Sequence, residues 1–163
     1  MSVQKPSHIS ADGSISMVDV SAKAVTARSA RAEARVVMSL DAARALREAT
    51  LGKGDAFVTA QLAGIMAAKQ TGTLIPLAHP LPLAHVDVRF AWCEDERTLR
   101  IEASASTSAQ TGVEMEAMVA ASIAALTIYD MTKAIDKGIR IEAVRLLEKS
   151  GGKSGRWSAE ASA

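Results

Sequence analysis

From Ala117 to Tyr129 the chain carries no charged residue, and its apolar side chains lie on every side of a helix rather than along one stripe. A helix that is apolar all round is normally buried all round. In a small two-layer domain one face of each helix meets water, so this segment asks for a second covering layer. The economical source of that layer is another copy of the chain, and a homo-oligomer is expected. The run is too short to cross a bilayer, so it does not read as a membrane anchor. At 163 residues the chain has room for one domain of this kind.

The material for its core is restricted. Only 3% of residues are aromatic (Phe57, Phe90, Trp92, Tyr129 and Trp157), so Ala, Val, Leu, Ile and Met must fill the interior. So few rings count against a base-stacking platform for single-stranded nucleic acid. A net charge of +1 lacks the basic excess of a duplex binder. The single cysteine, Cys93, leaves no internal disulfide and fits a reducing compartment. No apolar signal segment follows Met1, and a cytoplasmic protein is expected. His8, His79 and His85 show no metal-ligand spacing with Cys93, so no metal site is expected.

Along the chain, residues 1–16 are polar and aperiodic and read as a mobile arm, 17–155 as a single domain, and 156–163 as a C-terminal tail. Alternation of Ala34, Val36, Met38 and Leu40 with Arg35, Val37 and Ser39 predicts a strand over Glu33–Leu40. Asp41 can cap a short helix ending before Gly52. Asp55 can cap a second, to about Lys69, with Val58, Leu62, Ile65 and Met66 turned to the core. A loop over 71–82 holds three of the four prolines. A hairpin follows, with Val86, Val88, Phe90 and Trp92 on one face, answered by Leu99, Ile101, Ala103 and Ala105. A long helix is predicted from Glu114 to Lys137, and a last strand over Ile139–Leu147. The order β-α-α-β-β-α-β predicts an α+β, ferredoxin-like fold: an antiparallel sheet with helices on one face.

Several groups at element ends could carry chemistry, and each has a plainer reading beside it. Asp130 and Lys133 are neighbours on the long helix, either as a solvated ion pair or as an acid/base carboxylate beside a cation. His79 stands in the proline-held loop, either idle or fixed for proton transfer. Lys53, in the Gly-flanked turn before a helix, is either part of a cap or a phosphate ligand. Glu114 and Glu116 either suit the helix dipole or hydrogen-bond the donor edge of a guanine or pterin ring. The segment Lys149–Gly155 contains Gly-Lys-Ser but has Leu147 where a phosphate loop needs Gly, and no helix after it. It reads as a cationic flap or a loose tail.

These segments together resemble one family. Met17–Lys23, Lys53-Gly54-Asp55, Ala63-Gly64-Ile65 with Ala67-Ala68-Lys69, Ile75–Pro80, Thr111–Ala117, Ala125–Met131 and Lys149–Gly155 follow in order the motifs of the MoaC family, the cyclic pyranopterin monophosphate synthases of molybdenum cofactor biosynthesis. The resemblance implies a cyclic dihydro-GTP substrate supplied by a radical SAM GTP cyclase, rebuilding of the purine as a pyranopterin, cyclic phosphate formation and pyrophosphate release. It implies a ferredoxin-like fold assembled as a homohexamer, a trimer of dimers, with sites between subunits. It implies Asp130 as catalytic acid/base, with Lys53, His79 and Lys133 as its partners. Leu77, Ala78, His79, Glu114, Met115 and Glu116 would line the substrate pocket. Arg28, Lys69, Lys149 and Lys153 would hold the triphosphate, and Asp19 belongs to the N-terminal motif. No tightly bound cofactor is implied, though Mg2+ can accompany the triphosphate. The family motif usually has Cys at position 78, and here it is Ala; a small residue keeps the backbone path, so activity is expected to survive. Lys53→Ala and Lys133→Ala are both expected to lose activity, and if Lys53 of one subunit serves Asp130 of another, mixing these two variants should restore some of it.

Two other classes fit parts of this pattern. A nucleotide-responsive regulatory module would use the same cations without turnover. An RNA-binding sheet would need rings facing solvent, whereas Phe90 and Trp92 share their face with Val86 and Val88.

Overall fold

A computed structural model describes residues 13–153 and 155–159. The expected arm up to residue 12, Ser154 of the expected flap, and residues 160–163 lie outside the described residues. The elements are β1 (Thr26–Val37), α1 (Leu40–Arg47), α2 (Ala56–Lys69), α3 (Thr71–Leu74), β2 (His85–Trp92), β3 (Thr98–Ala109), α4 (Glu114–Thr132), β4 (Arg140–Ser150) and β5 (Trp157–Ser158). They form a mixed α/β domain around one five-stranded sheet, ordered β2-β3-β1-β4-β5, in which every neighbouring pair is antiparallel. Helices α2 and α4 pack on each other, and both rest on the sheet.

The two faces of the sheet follow from the alternation of side chains along its strands. Ala30, Ala32, Ala34 and Val36 of β1, with Leu99, Ile101, Ala103 and Ala105 of β3, are buried under the helices. On the other face Arg89, Glu102, Glu33 and Arg145 stand side by side across four strands. Glu33 is only 2% exposed there, and Arg145 at 2.9 Å and Arg35 at 3.6 Å offset its charge. The rings lie on the helix side: Phe90 meets Phe57 at 5.1 Å, and the Arg47 guanidinium sits 4.0 Å above Trp92. The charged face therefore presents no stacking platform from this hairpin.

Several sequence expectations are corrected. Strand β1 begins seven residues earlier than alternation from Glu33 implied, because its inward residues there are alanines, which barely mark a strand. Leu40 is not in that strand; it opens α1 and is 53% exposed. The cap of α1 is Ser39, whose Oγ accepts from the Ala42 amide at 3.3 Å, while Asp41 sits in the first turn. Helix α4 stops at Thr132 rather than Lys137. Asp136 secures the turn beyond the helix, accepting from the amides of Ser39 and Gly138, both at 2.7 Å, and these bonds hold its carboxyl below the usual value. Within the expected loop a short helix, α3, forms. The expected tail contributes β5, which pairs with β4 through Glu148–Ser158 and Lys149–Trp157.

The largest correction concerns α2. Asp55 caps it as expected, accepting from the Phe57 and Val58 amides. Yet Val58, Leu62 and Met66 are 57–59% exposed, whereas Ala56, Ala60, Gly64, Ala67 and Ala68 are buried. The reason is the approach of α4. A Cβ added at Gly64 would come within 2.9 Å of the Ala120 carbonyl oxygen. Only small residues fit at such a crossing, so the large ones turn outward.

Candidate active site

The loop after α3 is held at several points. A Cβ on Gly72 would lie 3.0 Å from Pro80, so the loop folds back tightly on α3. The Thr107 hydroxyl donates to the Pro82 carbonyl at 2.5 Å, and the Ala84 amide to Ser106 at 2.9 Å. This fixes His79, whose Nε2 lies 2.9 Å from the Val18 carbonyl. A carbonyl only accepts, so Nε2 carries the proton in this bond and the neutral ring keeps its lone pair on Nδ1.

Opposite the loop stands the start of α4. Gly112 leaves room there for the Glu114 carboxylate, which a side chain at 112 would displace. Glu114 forms an ion pair with Lys149 of β4 at 2.7 Å. Glu116 is 3% exposed; burial pushes its carboxyl above the usual value near 4.5, and Glu114 adds to the shift. Between loop and helix lies a cavity of about 460 Å³ lined by Leu77, Ala78, His79, Glu114, Met115 and Glu116, with Val18 and Lys23 closing its side. All six residues expected for the ring pocket meet here.

A second cavity of about 420 Å³ adjoins it and shares Lys23, Thr111, Gly112 and Glu114 with it. Arg28, Lys149 and Lys153 line this second chamber. The Arg28 guanidinium donates to the carbonyls of Ala109 at 3.4 Å and Gln110 at 3.3 Å. The turn at Gly151 (φ +99°) and Gly152 (φ +71°) closes over it, and a Cβ at either position would collide with Ala27 or Arg28. The two chambers make one groove with a carboxylate and imidazole at one end and three basic side chains at the other.

Two expected ligands line neither of these chambers. Lys69 lines a third cavity of about 310 Å³, which shares Leu81 and Glu116 with the first chamber but none of Arg28, Lys149 and Lys153. The exposed Asp19 carboxylate accepts from the Ser21 amide at 2.9 Å; this bond holds its pKa low and shapes the turn over 18–23.

The remaining trio assembles at the other end of α4. Asp130 meets Lys133 at 2.7 Å and Lys53 at 3.0 Å, and Lys53 also donates to the Asp130 carbonyl at 2.8 Å. The Lys133 and Lys53 ammonium groups hold the Asp130 carboxyl below its usual value, and Asp130 in turn raises Lys133. Lys53 and Asp130 thus pair within one chain. From Glu114 to Asp130 the helix axis covers about 24 Å. One chain therefore holds the imidazole and the Asp130 trio near opposite ends of α4. Among the described residues no group of His, Cys, Asp and Glu is arranged to hold a metal ion.

Sequence reasoning gave no individual role to Lys23, Gln110, Gly112, Gly151 or Gly152. All but Gln110 fell within quoted motifs, but only the packing reveals what they touch.

Comparison with known proteins places the chain among relatives. A sequence model of the MoaC family matches residues 17–152. A cyclic pyranopterin monophosphate synthase of Methylobacterium sp. (strain 4-46) is 54% identical over 156 residues, covering 94% of this chain and 96% of the relative. Another of the same name from Methylobacterium nodulans is 55% identical over the same coverage. The chain belongs to the MoaC family.

Proposed function

We propose that this protein is a cyclic pyranopterin monophosphate synthase of molybdenum cofactor biosynthesis. It converts (8S)-3',8-cyclo-7,8-dihydroguanosine 5'-triphosphate to cyclic pyranopterin monophosphate and pyrophosphate. The observation that carries the reading is the groove at the start of α4, where a chamber with His79 and Glu116 opens into one lined by Arg28, Lys149 and Lys153. A ring with amide-type donors suits the first end and a triphosphate the second.

The phosphate step makes it a phosphorus–oxygen lyase. A sugar-derived hydroxyl oxygen bonds to the α-phosphorus, the bond to the β-phosphate oxygen breaks, and pyrophosphate leaves with its negative charge stabilised by the basic chamber. Purine opening and pyranopterin closure move protons, which is work for His79 and for Asp130 flanked by Lys53 and Lys133. Asp130 lies between two ammonium groups, at 2.7 and 3.0 Å, which keeps it ionised and ready to act as a base. These side chains carry the reaction with no tightly bound cofactor, and any magnesium arrives on the triphosphate.

The imidazole and the Asp130 trio at opposite ends of α4, as two half-sets, support sites shared between copies, as in a trimer of dimers. So do the exposed Val58, Leu62 and Met66 of α2 and Leu126 of α4. The strand order β2-β3-β1-β4 supports the ferredoxin-like class. No described helix is long and apolar enough to cross a membrane, and the unpaired Cys93 suits the cytoplasm.

The test is incubation with the cyclic dihydro-GTP while pyrophosphate and pterin product are measured. Asp130→Asn should bind substrate and form no product. Wild-type-like turnover by that variant would remove Asp130 from the mechanism. Binding without any pyrophosphate from the unmodified protein would favour the regulatory reading.

A further inference from the structure

We infer that Lys23 is a substrate ligand, holding the phosphate nearest the ring at the junction of the two chambers, and that Gln110 is the residue that positions it. The inference rests on the functional reading above for which end of the groove receives the ring. Lys23 lines both chambers, as do Thr111, Gly112 and Glu114, and it is the one cation among these four. A group that lines both chambers sits where ring and phosphate chain join.

Two of the three other cations of the groove are partly committed, and Lys153 lines only the second chamber. Arg28 spends two donor nitrogens on the carbonyls of Ala109 and Gln110, and Lys149 is neutralised by Glu114 at 2.7 Å. The Lys23 ammonium has no hydrogen bond or ion pair among the described residues. Its backbone, by contrast, is pinned. The Gln110 side-chain amide donates to the carbonyls of Ser21 at 3.2 Å and Lys23 at 3.0 Å, and the Lys23 amide donates to Val20 at 2.9 Å. With His79 bonded to the Val18 carbonyl, the strap over 18–23 is tied down at both ends. A fixed backbone carrying an unpaired cation is the arrangement of a preorganised anion ligand.

The phosphate nearest the ring stays in the product, and the outer two leave. Loss of Lys23 should therefore weaken substrate and product without touching pyrophosphate. Lys23→Met should raise KM, and the Kd for GTP used as an unreactive probe, by about ten- to a hundred-fold, the loss of one charge-assisted hydrogen bond. Product inhibition by pyrophosphate should stay at the wild-type level, and Lys153→Met should weaken it. Gln110→Ala should raise KM with kcat kept, and should add nothing in the Lys23→Met background, which a merely structural role would not produce. An unchanged GTP affinity and KM in Lys23→Met would overturn the inference. So would pyrophosphate inhibition weakened as much as KM. GTP binding is read by calorimetry without turnover, so an inactive wild type would strike the functional reading and leave the Lys23 result standing or falling by itself.

Discussion

The 16-residue separation of Glu114 from Asp130 on α4 gives a quantitative test of how the half-sets combine. A general acid or base acts within about 3 Å of the proton it moves, and about 24 Å of helix axis lies between the two ends. If both half-sets act on one substrate, one comes from each of two copies. Consider subunits carrying Asp130→Asn mixed in equal amounts with subunits carrying His79→Ala, after dissociation and reassembly. Each site draws its Asp130 end and its His79 end independently, and each draw is intact half the time. About a quarter of wild-type activity should return, whatever the number of subunits, provided that each site spans two copies. Lys53→Ala mixed with Asp130→Asn is the control. These residues share one cluster, so every such cluster carries a lesion and no activity should return. The assay is pyrophosphate release, with subunit exchange verified by native mass spectrometry of mass-tagged chains. No recovery in exchanged His79/Asp130 mixtures would refute the shared site. Recovery in the Lys53/Asp130 mixture would refute the pairing of those residues within one chain.

Two further outcomes are set by packing and burial. Gly64→Val places methyl groups against the Ala120 carbonyl and should destabilise the fold by about 1–3 kcal/mol, read as a lowered midpoint in urea with an unchanged slope; an unchanged midpoint would mean that α2 and α4 can separate at no cost. Glu116 is a carboxyl whose pKa folding raises, so between its unfolded and folded values the native state holds the extra proton and stability falls as pH rises. Glu116→Gln should therefore melt close to the wild type at acid pH and increasingly above it as pH climbs past 4.5, and a gap that stays constant or closes would show that burial does not govern this carboxyl.

Legibility in the sequence tracked the size of the side chains. The hairpin was readable because Val88, Leu99 and Ile101 are large, buried and, within β3, two residues apart. The first half of β1 was not, because Ala30 and Ala32 do the same work without a strand-like profile. On α2 the rule inverted. Large apolar residues normally mark the inward face, but α4 comes so near that Gly64 and the alanines take it, and Val58, Leu62 and Met66 go outside. For the site, residue types were legible at element ends, whereas the grouping was not. Nothing in the spacing separates Lys69 from Lys149, yet they line different cavities.

That inversion on α2 bears on assembly. The all-round apolar character of α4 is met largely within the chain, by α2 and by the sheet. What asks for a partner is the outer surface of the helical layer, where Val58, Leu62 and Met66 stand in a row one helical turn apart and Leu126 is 53% exposed on α4. Such a row of exposed apolar side chains suits the contact between copies proposed above. A two-fold axis near the middle of that layer would turn the second α4 end for end. It would carry one copy's Asp130 trio toward the other copy's Glu114 end, and twice over, since a two-fold contact is reciprocal. The exposed apolar row and the split half-sets thus call for the same operation. A charge set into the row, as in Leu62→Glu, should separate the subunits and abolish turnover together while GTP still binds each chain's own groove. An assembled but inactive variant, or an active monomer, would break that link.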